Sequence, residues 1–376
     1  MIFPIVLVRF SEIALKSRNT RMSLRRLLRH NVLAAMKINN FSVEKIEDTW
    51  DRLIVYATAS DEVAQAVSKV FGVVSTSPAI ECKGEIYEIT KVVSEIALET
   101  LKEGDSFAIR VRRVGKHEFT TYQIASACGS LVLQTAKEKG IQVHVDLDSP
   151  DHEIFVEVRD ERGFVYESIV HGVGGLPLGS QGRVVSLLRD YDSIIATWLV
   201  MKRGCLPILV LFNGKGEFEE LVRAAKTSLS PYTLGEPCII VVPLAEVIQK
   251  ISSQSLLRSL EYLTLNDIAL LEKAEGIVSS ERSNPSSSDE LKRLRDIADV
   301  VQIPVFYPLI GLGEEDLNRL ANTLGVVSRS RDKTGTNTTR VEETNHLSTM
   351  ENDSYLKQYR ERIWEVVTAA VQRKRI

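Results

Sequence analysis

The amino-acid sequence predicts a multi-domain α/β protein, and three features of its pattern carry that reading. The first 80 residues run strand, helix, strand, strand, helix, strand, which is the ferredoxin-like order. A second, smaller α/β unit follows Lys83-Gly84-Glu85. From Arg183 onward, short apolar strands alternate with helical segments, the pattern of a doubly wound parallel sheet. With 376 residues, 44% of them hydrophobic, the chain has apolar material for two or three such cores.

In the first unit, strands are expected at Phe3 to Arg9, Ser42 to Asp48, Asp51 to Thr58 and Val73 to Ile80, with helices at Thr20 to Met36 and Asp61 to Phe71. Along the first helix Arg18, Arg21, Arg25 and Arg29 recur at spacings of three and four, while Leu24, Leu27, Leu28 and Val32 fall on the opposite side. One face packs and the other is cationic. Arg9, Lys16 and Arg26 add to it, and Glu12 is the single acid before Met36. The chain as a whole has a formal net charge of −3, so positive charge is segregated rather than general.

The second unit reads as a helix at Ile86 to Leu101, a strand at Ser106 to Val114, a helix at Tyr122 to Glu138, a strand at Val143 to Leu147, a turn at Asp148-Ser149-Pro150-Asp151, and strands at Glu153 to Arg159 and Gly163 to His171. Arg110 and Arg112 share one face of the strand, with Arg113, Lys116 and His117 at its end. Guanidinium forks suit phosphate oxygens, so these residues and Lys16, Arg18, Arg21, Arg25 and Arg29 are the candidate RNA-binding set. The alternative is a solvated strand face.

The third unit opens with the glycine-rich run Gly172 to Gly182. Strands follow at Arg183 to Leu188, Leu206 to Phe212, Cys238 to Val242, Gly276 to Ser279 and Val305 to Tyr307. Helices are expected at Asp192 to Arg203, Glu217 to Leu229, Leu256 to Glu275, Ser288 to Val301 and Glu314 to Leu324. The turn Arg189-Asp190-Tyr191-Asp192-Ser193 leads from the first strand into a helix, where open α/β sheets bind phosphates, yet it has no glycine. Domain bounds follow at 1–80, 81–173 and 174–327. Residues 328–353 are polar and read as a flexible tail, and Tyr355, Tyr359, Ile363, Val366, Val367 and Ala370 form the apolar stripe of a terminal helix.

Several function classes are excluded. No apolar run reaches membrane length, and the start lacks a basic stretch before its apolar residues, so a cytoplasmic protein with no membrane partner is expected. The four cysteines, Cys82, Cys128, Cys205 and Cys238, are widely spaced without a Cys-x-x-Cys pair, and the six histidines form no His-Glu-x-x-His pair. Structural thiols and no metal site are the expectation.

The sequence resembles the tRNA 4-thiouridine synthetase family, also called tRNA sulfurtransferases or thiamine-biosynthesis sulfurtransferases. The resemblance runs through Glu12-Ile13-Ala14-Leu15-Lys16-Ser17, Arg110 to His117, Val145-Asp146-Leu147-Asp148-Ser149-Pro150-Asp151 with Val156-Glu157-Val158, and Gly174-Gly175-Leu176-Pro177 to Gly182, and extends to about Gly325. It implies a ferredoxin-like domain, a THUMP domain gripping the tRNA acceptor end, and an adenylating PP-loop domain. It also implies a reaction in which ATP activates a uridine carbonyl and sulfur from a cysteine persulfide displaces AMP.

Three of the family's catalytic elements depart from its pattern here. The cradle Ser-Gly-Gly-x-Asp-Ser corresponds to Arg189 to Ser193, one residue shorter and without either glycine, although Asp192 and Ser193 match and are the candidate nucleotide contacts. A carboxylate such as Asp190 placed ~4 Å from a phosphate charge costs about 4 kcal/mol at an effective dielectric of 20. The segment Gly-Glu-x-x-Gly-Gln-Val-x-Ser-Gln-Thr-Leu aligns on Ser280 to Leu291, where Ser280 and Asn284 replace glycines, Pro285 and Asp289 replace glutamines and Glu290 replaces the threonine. No cysteine follows Cys238, so the sulfur relay is missing. The expectation is a tRNA-binding paralogue that has lost adenylation and carries no catalytic residue or cofactor. The alternative is an active tRNA sulfurtransferase using ATP, Mg and an external sulfur-donor protein.

Overall fold

The computed structural model describes residues 3–13, 15–212, 218–242, 254–282, 294–295 and 297–326. The expected tail and terminal helix, and most of the segment aligned at 280–291, lie outside these residues. The chain divides into two compact units, Met1–Gly175 and Leu176–Ile376.

The first unit is built on β1 (Phe3–Arg9), α1 (Arg18–Ile38), β2 (Lys45–Asp48), β3 (Arg52–Tyr56), α2 (Ser60–Ser68) and β4 (Ser75–Lys83), followed by α3 (Ile86–Thr100), β5 (Ser106–Val114), α4 (Thr121–Glu138), β6 (His144–Val145), β7 (His152–Arg159), β8 (Arg162–Tyr166) and β9 (Val170–His171). These strands form one nine-stranded sheet in the order β2-β3-β1-β4-β8-β7-β5-β6, with β9 on β4. The first four strands pair antiparallel in the ferredoxin-like arrangement.

The sheet does not stop at Lys83-Gly84-Glu85. β4 runs three residues past Ile80 and pairs antiparallel with β8 from Ile80 opposite Val165 to Lys83 opposite Arg162. Glu81 looks like a strand ender in sequence, but in the sheet its carboxylate accepts bonds from Arg162 at 2.6 Å and from the Tyr56 hydroxyl at 2.7 Å. The expected single strand Gly163 to His171 is two. β8 pairs with the end of β4 and β9 with its start. The gap between them falls around Pro78, which has no N–H to donate.

Helices α3 and α4 cover one sheet face through Ile89, Val93, Ile124, Cys128 and Val132. On the opposite face Glu157, 4% exposed, accepts from Arg52 at 2.6 Å, from Arg9 at 3.2 Å and from the Tyr166 hydroxyl at 2.9 Å. Burial alone would raise this carboxyl, but the charges of Arg52 and Arg9 outweigh it and hold it at about 2.

The second unit comprises β10 (Arg183–Leu187), α5 (Tyr191–Lys202), β11 (Leu206–Phe212), α6 (Phe218–Leu229), β12 (Cys238–Val242), α7 (Gln254–Glu272), β13 (Ile277–Val278), β14 (Val305–Phe306) and α8 (Glu314–Leu324). Its five strands are parallel, in the order β12-β11-β10-β13-β14. The chain winds outward from β10 to β12 and returns to β13 on the other side of β10, which makes β10 and β13 the switch point of a doubly wound sheet. Val185, Val210, Ile240, Tyr262 and Leu265 pack its core. Gly276 is required there, because a Cβ would stand 2.4 Å from the Phe306 ring. Among the described residues no helix is long and apolar enough to cross a membrane.

Candidate nucleic-acid surface and nucleotide crevice

The basic face of α1 is real but not uniform. Leu24, Leu28 and Val32 are buried and Leu27 half-buried, which leaves Lys16, Arg18 and Arg29 exposed. Arg21 and Arg25 are tied to the β2–β3 hairpin. The Arg21 guanidinium lies over the Trp50 ring at 3.7 Å from its centroid, and Arg25 Nε donates to Asp48 at 2.9 Å. Trp50 drew no notice in the sequence, where a lone tryptophan between two short strands carries no pattern.

The second basic group also divides. Arg110 donates to Glu153 at 2.7 Å and to the Leu147 carbonyl at 2.9 Å. Arg113 donates to the carbonyls of His117 and Phe119, so the loop after β5 folds around it. His117 bonds the Val114 carbonyl at 2.9 Å and stacks on Phe119 with centroids 5.3 Å apart. Arg112 and Lys116 are exposed.

Strand directions place these groups apart. β5 runs antiparallel to β1, because it is parallel to β7 and three antiparallel steps connect β7 to β1 through β8 and β4. The start of α1, which follows β1, therefore lies at one end of the strands and the end of β5 at the other. Only the length of α1, ~31 Å for 21 residues, carries its basic face from one strand end toward the other.

In the second unit the turn after β10 stands at the switch point. Asp190 is the N-cap of α5, and its Oδ1 accepts from Ser193 N at 2.8 Å and Ser193 Oγ at 2.7 Å, a reciprocal capping box. Ser193 Oγ in turn accepts from the backbone N–H groups of Arg189 and Asp190 at 3.1 and 3.2 Å. Ser280, just past β13, donates to the same Asp190 oxygen at 3.2 Å. Asp192 forms an ion pair with Arg282 at 2.6 Å, and Arg282 also holds Glu314 at 2.8 Å. Arg189 reaches across to Glu261 and Glu281. Asp192 and Ser193 are thus brought to one crevice, together with Asp190, Ser280 and Arg282. Arg282 was not foreseen, since nothing in its neighbourhood of sequence points to Asp192.

The glycines of the 172–182 run serve the backbone. Gly174 has φ +67°, and a Cβ on Gly172 would stand 2.3 Å from the Val73 carbonyl oxygen. Among the cysteines, Cys82 and Cys128 are core residues whose thiols burial pushes up to about 12. Burial also raises Cys205. None of these three has the lowered pKa of a sulfur-handling thiol. Among the described residues no group of three or more His, Cys, Asp or Glu could hold a metal ion.

The chain matches the family model described as thiamine biosynthesis protein (ThiI) over residues 179–363, the ThiI ferredoxin-like domain over 5–77 and the THUMP domain over 83–166. A probable tRNA sulfurtransferase of Methanosarcina mazei is 32% identical over 344 residues, covering 88% of this chain and 85% of the relative. That of Saccharolobus solfataricus is 31% identical over 337 residues, covering 87% and 88%. Two solved structures share the fold. The protein PH1313 of Pyrococcus horikoshii has a TM-score of 0.69 at 28% identity, covering 86% of this chain and 99% of that one. A 4-thiouridine synthetase, solved as an RNA complex with bound ATP, has a TM-score of 0.78 at 24% identity, covering 98% and 97%.

Proposed function

The chain belongs to the ThiI, or tRNA sulfurtransferase, family, and from that premise we propose that it is a tRNA-binding protein whose nucleotide crevice no longer supports adenylation. Its role is that of a binder or regulatory paralogue in tRNA modification. We assign residues 1–80 to the ferredoxin-like domain, 81–173 to the THUMP domain and 174–327 to the degenerate PP-loop domain.

The observation that carries the loss of adenylation is the Asp190 cap. A helix N-terminus receives a phosphate because its first N–H groups are free and its dipole is uncompensated. Here the N–H of Ser193 already serves a carboxylate, and that carboxylate places negative charge where a phosphate would sit. The residues present do not fit a triphosphate, so no step is derived through ATP. The RNA-binding reading rests on the THUMP match and on the exposed cations Lys16, Arg18, Arg29, Arg112 and Lys116. Arg21 and Arg25 support that surface by fixing the β2–β3 hairpin, Arg113 and His117 by fixing the loop after β5, and Arg110 by holding Glu153 of β7 and the Leu147 carbonyl before it.

A second reading, an active ATP- and Mg-dependent tRNA sulfurtransferase served by an external sulfur donor, is favoured by the identity of at least 30% to proteins named for that activity across 88% of the chain. Two measurements separate the readings. Calorimetric titration with Mg-ATP is expected to show no binding, and 4-thiouridine is expected to persist in tRNA from a deletion strain. Tight ATP binding together with lost 4-thiouridine would overturn the proposal in favour of the second reading.

A further inference from the structure

Trp50 sits at the tip of the β2–β3 hairpin, where Thr49 closes the turn through its N–H and hydroxyl to the Arg52 carbonyl at 3.0 and 2.9 Å. Any polar turn residue would satisfy that geometry. Instead the largest apolar side chain is held 67% exposed. The Arg21 guanidinium lies over one ring face at 3.7 Å from the centroid, and at 67% exposure most of the side chain remains open to solvent.

The charges around the ring are arranged consistently. Asp48 is taken by Arg25, and Asp51 is taken by Arg52 and by Arg159, the latter at 2.9 Å. The acids flanking Trp50 are therefore compensated, while Arg18, one turn before Arg21, and Arg29, one turn after Arg25, extend the cationic stripe on either side. An exposed aromatic ring with a cation behind it and cations beside it matches an unpaired nucleobase with its phosphates. Every base offers a π-face, and the phosphates flanking it are anionic.

We propose that Trp50, backed by Arg21, is a stacking platform for an unpaired nucleobase of the bound RNA. This rests on the RNA-binding reading above and specifies one contact within it. The open ring face supplies affinity and selectivity for unpaired over duplex RNA, and the neighbouring arginines supply the salt-dependent part.

The test uses the full chain, unfractionated tRNA and a blunt RNA duplex. Trp50→Ala is expected to weaken tRNA binding roughly 5- to 150-fold. It should leave the log–log salt slope unchanged, because stacking releases no counterions, and should leave binding to the blunt duplex unchanged. Trp50→Phe should recover most of the loss, and far-UV circular dichroism confirms that both variants fold. Wild-type protein that binds neither RNA removes the function and the platform together. Wild-type protein that binds tRNA only as tightly as Trp50→Ala removes the platform alone, as does an equal loss on tRNA and duplex, and assigns the exposed ring to a protein partner or to hairpin packing.

Discussion

Asp190 and Glu157 are both carboxylates held by several donors, with different consequences. Asp190 caps a helix at the mouth of a crevice, and replacing an N-cap aspartate by alanine costs roughly 0.5 to 2 kcal/mol. Asp190→Ala is therefore expected to lower stability by about 1 kcal/mol in urea titrations while creating no Mg-ATP binding, because the loop remains one residue short and lacks glycine. Glu157 is buried against Arg52, with side-chain exposures of 5% and 3%. Removing its charge leaves the buried Arg52 guanidinium with Asp51, at 3.3 Å, as its remaining carboxylate partner, so Glu157→Gln should destabilise by about 1 to 3 kcal/mol. The sign with pH follows from the lowered carboxyl. In the unfolded chain it binds a proton in the ordinary carboxylate range and in the folded chain only near pH 2. Its stabilisation is complete above about pH 5 and is lost as the pH falls toward 2. Unfolding free energies measured from pH 5 to 2 should fall more steeply for the wild type than for Glu157→Gln, and equal slopes would show that another group carries the acid sensitivity.

At the scale of elements, much was legible because strand and helix periods are local. β1, β5, β11, β12 and α8 fall within the expected bounds, each an apolar-patterned run ended by turn residues or charge. Three features were not legible, each because a distant residue decides it. β4 continues through Glu81 and Lys83 because Arg162 and Tyr56, far along the chain, satisfy Glu81. β6 is only His144–Val145, since Asp146 accepts from the N–H groups of Asp148 and Ser149 and turns the chain out of the ladder. Which arginines stay exposed was also hidden, as the alternation of β5 says which face Arg110 shares but not that Glu153 waits there. This sorts the basic residues into two experimental classes. Arg112→Gln and Lys116→Gln should each flatten the salt dependence of tRNA binding, by about 0.7 in log–log slope for every single-strand phosphate left without its cation. Arg113→Gln should instead lower stability, because the loop carbonyls of His117 and Phe119 lose their donor. A full phosphate-type slope change from Arg113→Gln with unaltered stability would reverse that assignment.

Over the whole molecule, the proposed function predicts that the two units answer to different ligands. Each has its own core, Ile89, Ile124 and Val156 in the first and Val185, Val210 and Tyr262 in the second, so the chain contains two units able to melt cooperatively. A ligand that binds only the folded form stabilises by RT ln(1 + [L]/Kd), about 2.7 kcal/mol at a hundredfold excess over Kd. For a unit of this size, 1 kcal/mol moves Tm by roughly 2 to 4 °C, so saturating tRNA should raise one calorimetric transition by about 5 to 11 °C. The Arg18, Arg29, Arg112 and Lys116 surface belongs to the first unit, which identifies the transition that must move, and Glu157→Gln marks it independently by lowering it. Millimolar Mg-ATP should leave the other transition in place, because the N-terminus of α5 already holds Asp190 and its neighbour Asp192 already holds Arg282. A transition that Glu157→Gln does not move but Mg-ATP raises would place a working nucleotide site in the second unit and return the protein to the active branch of its family.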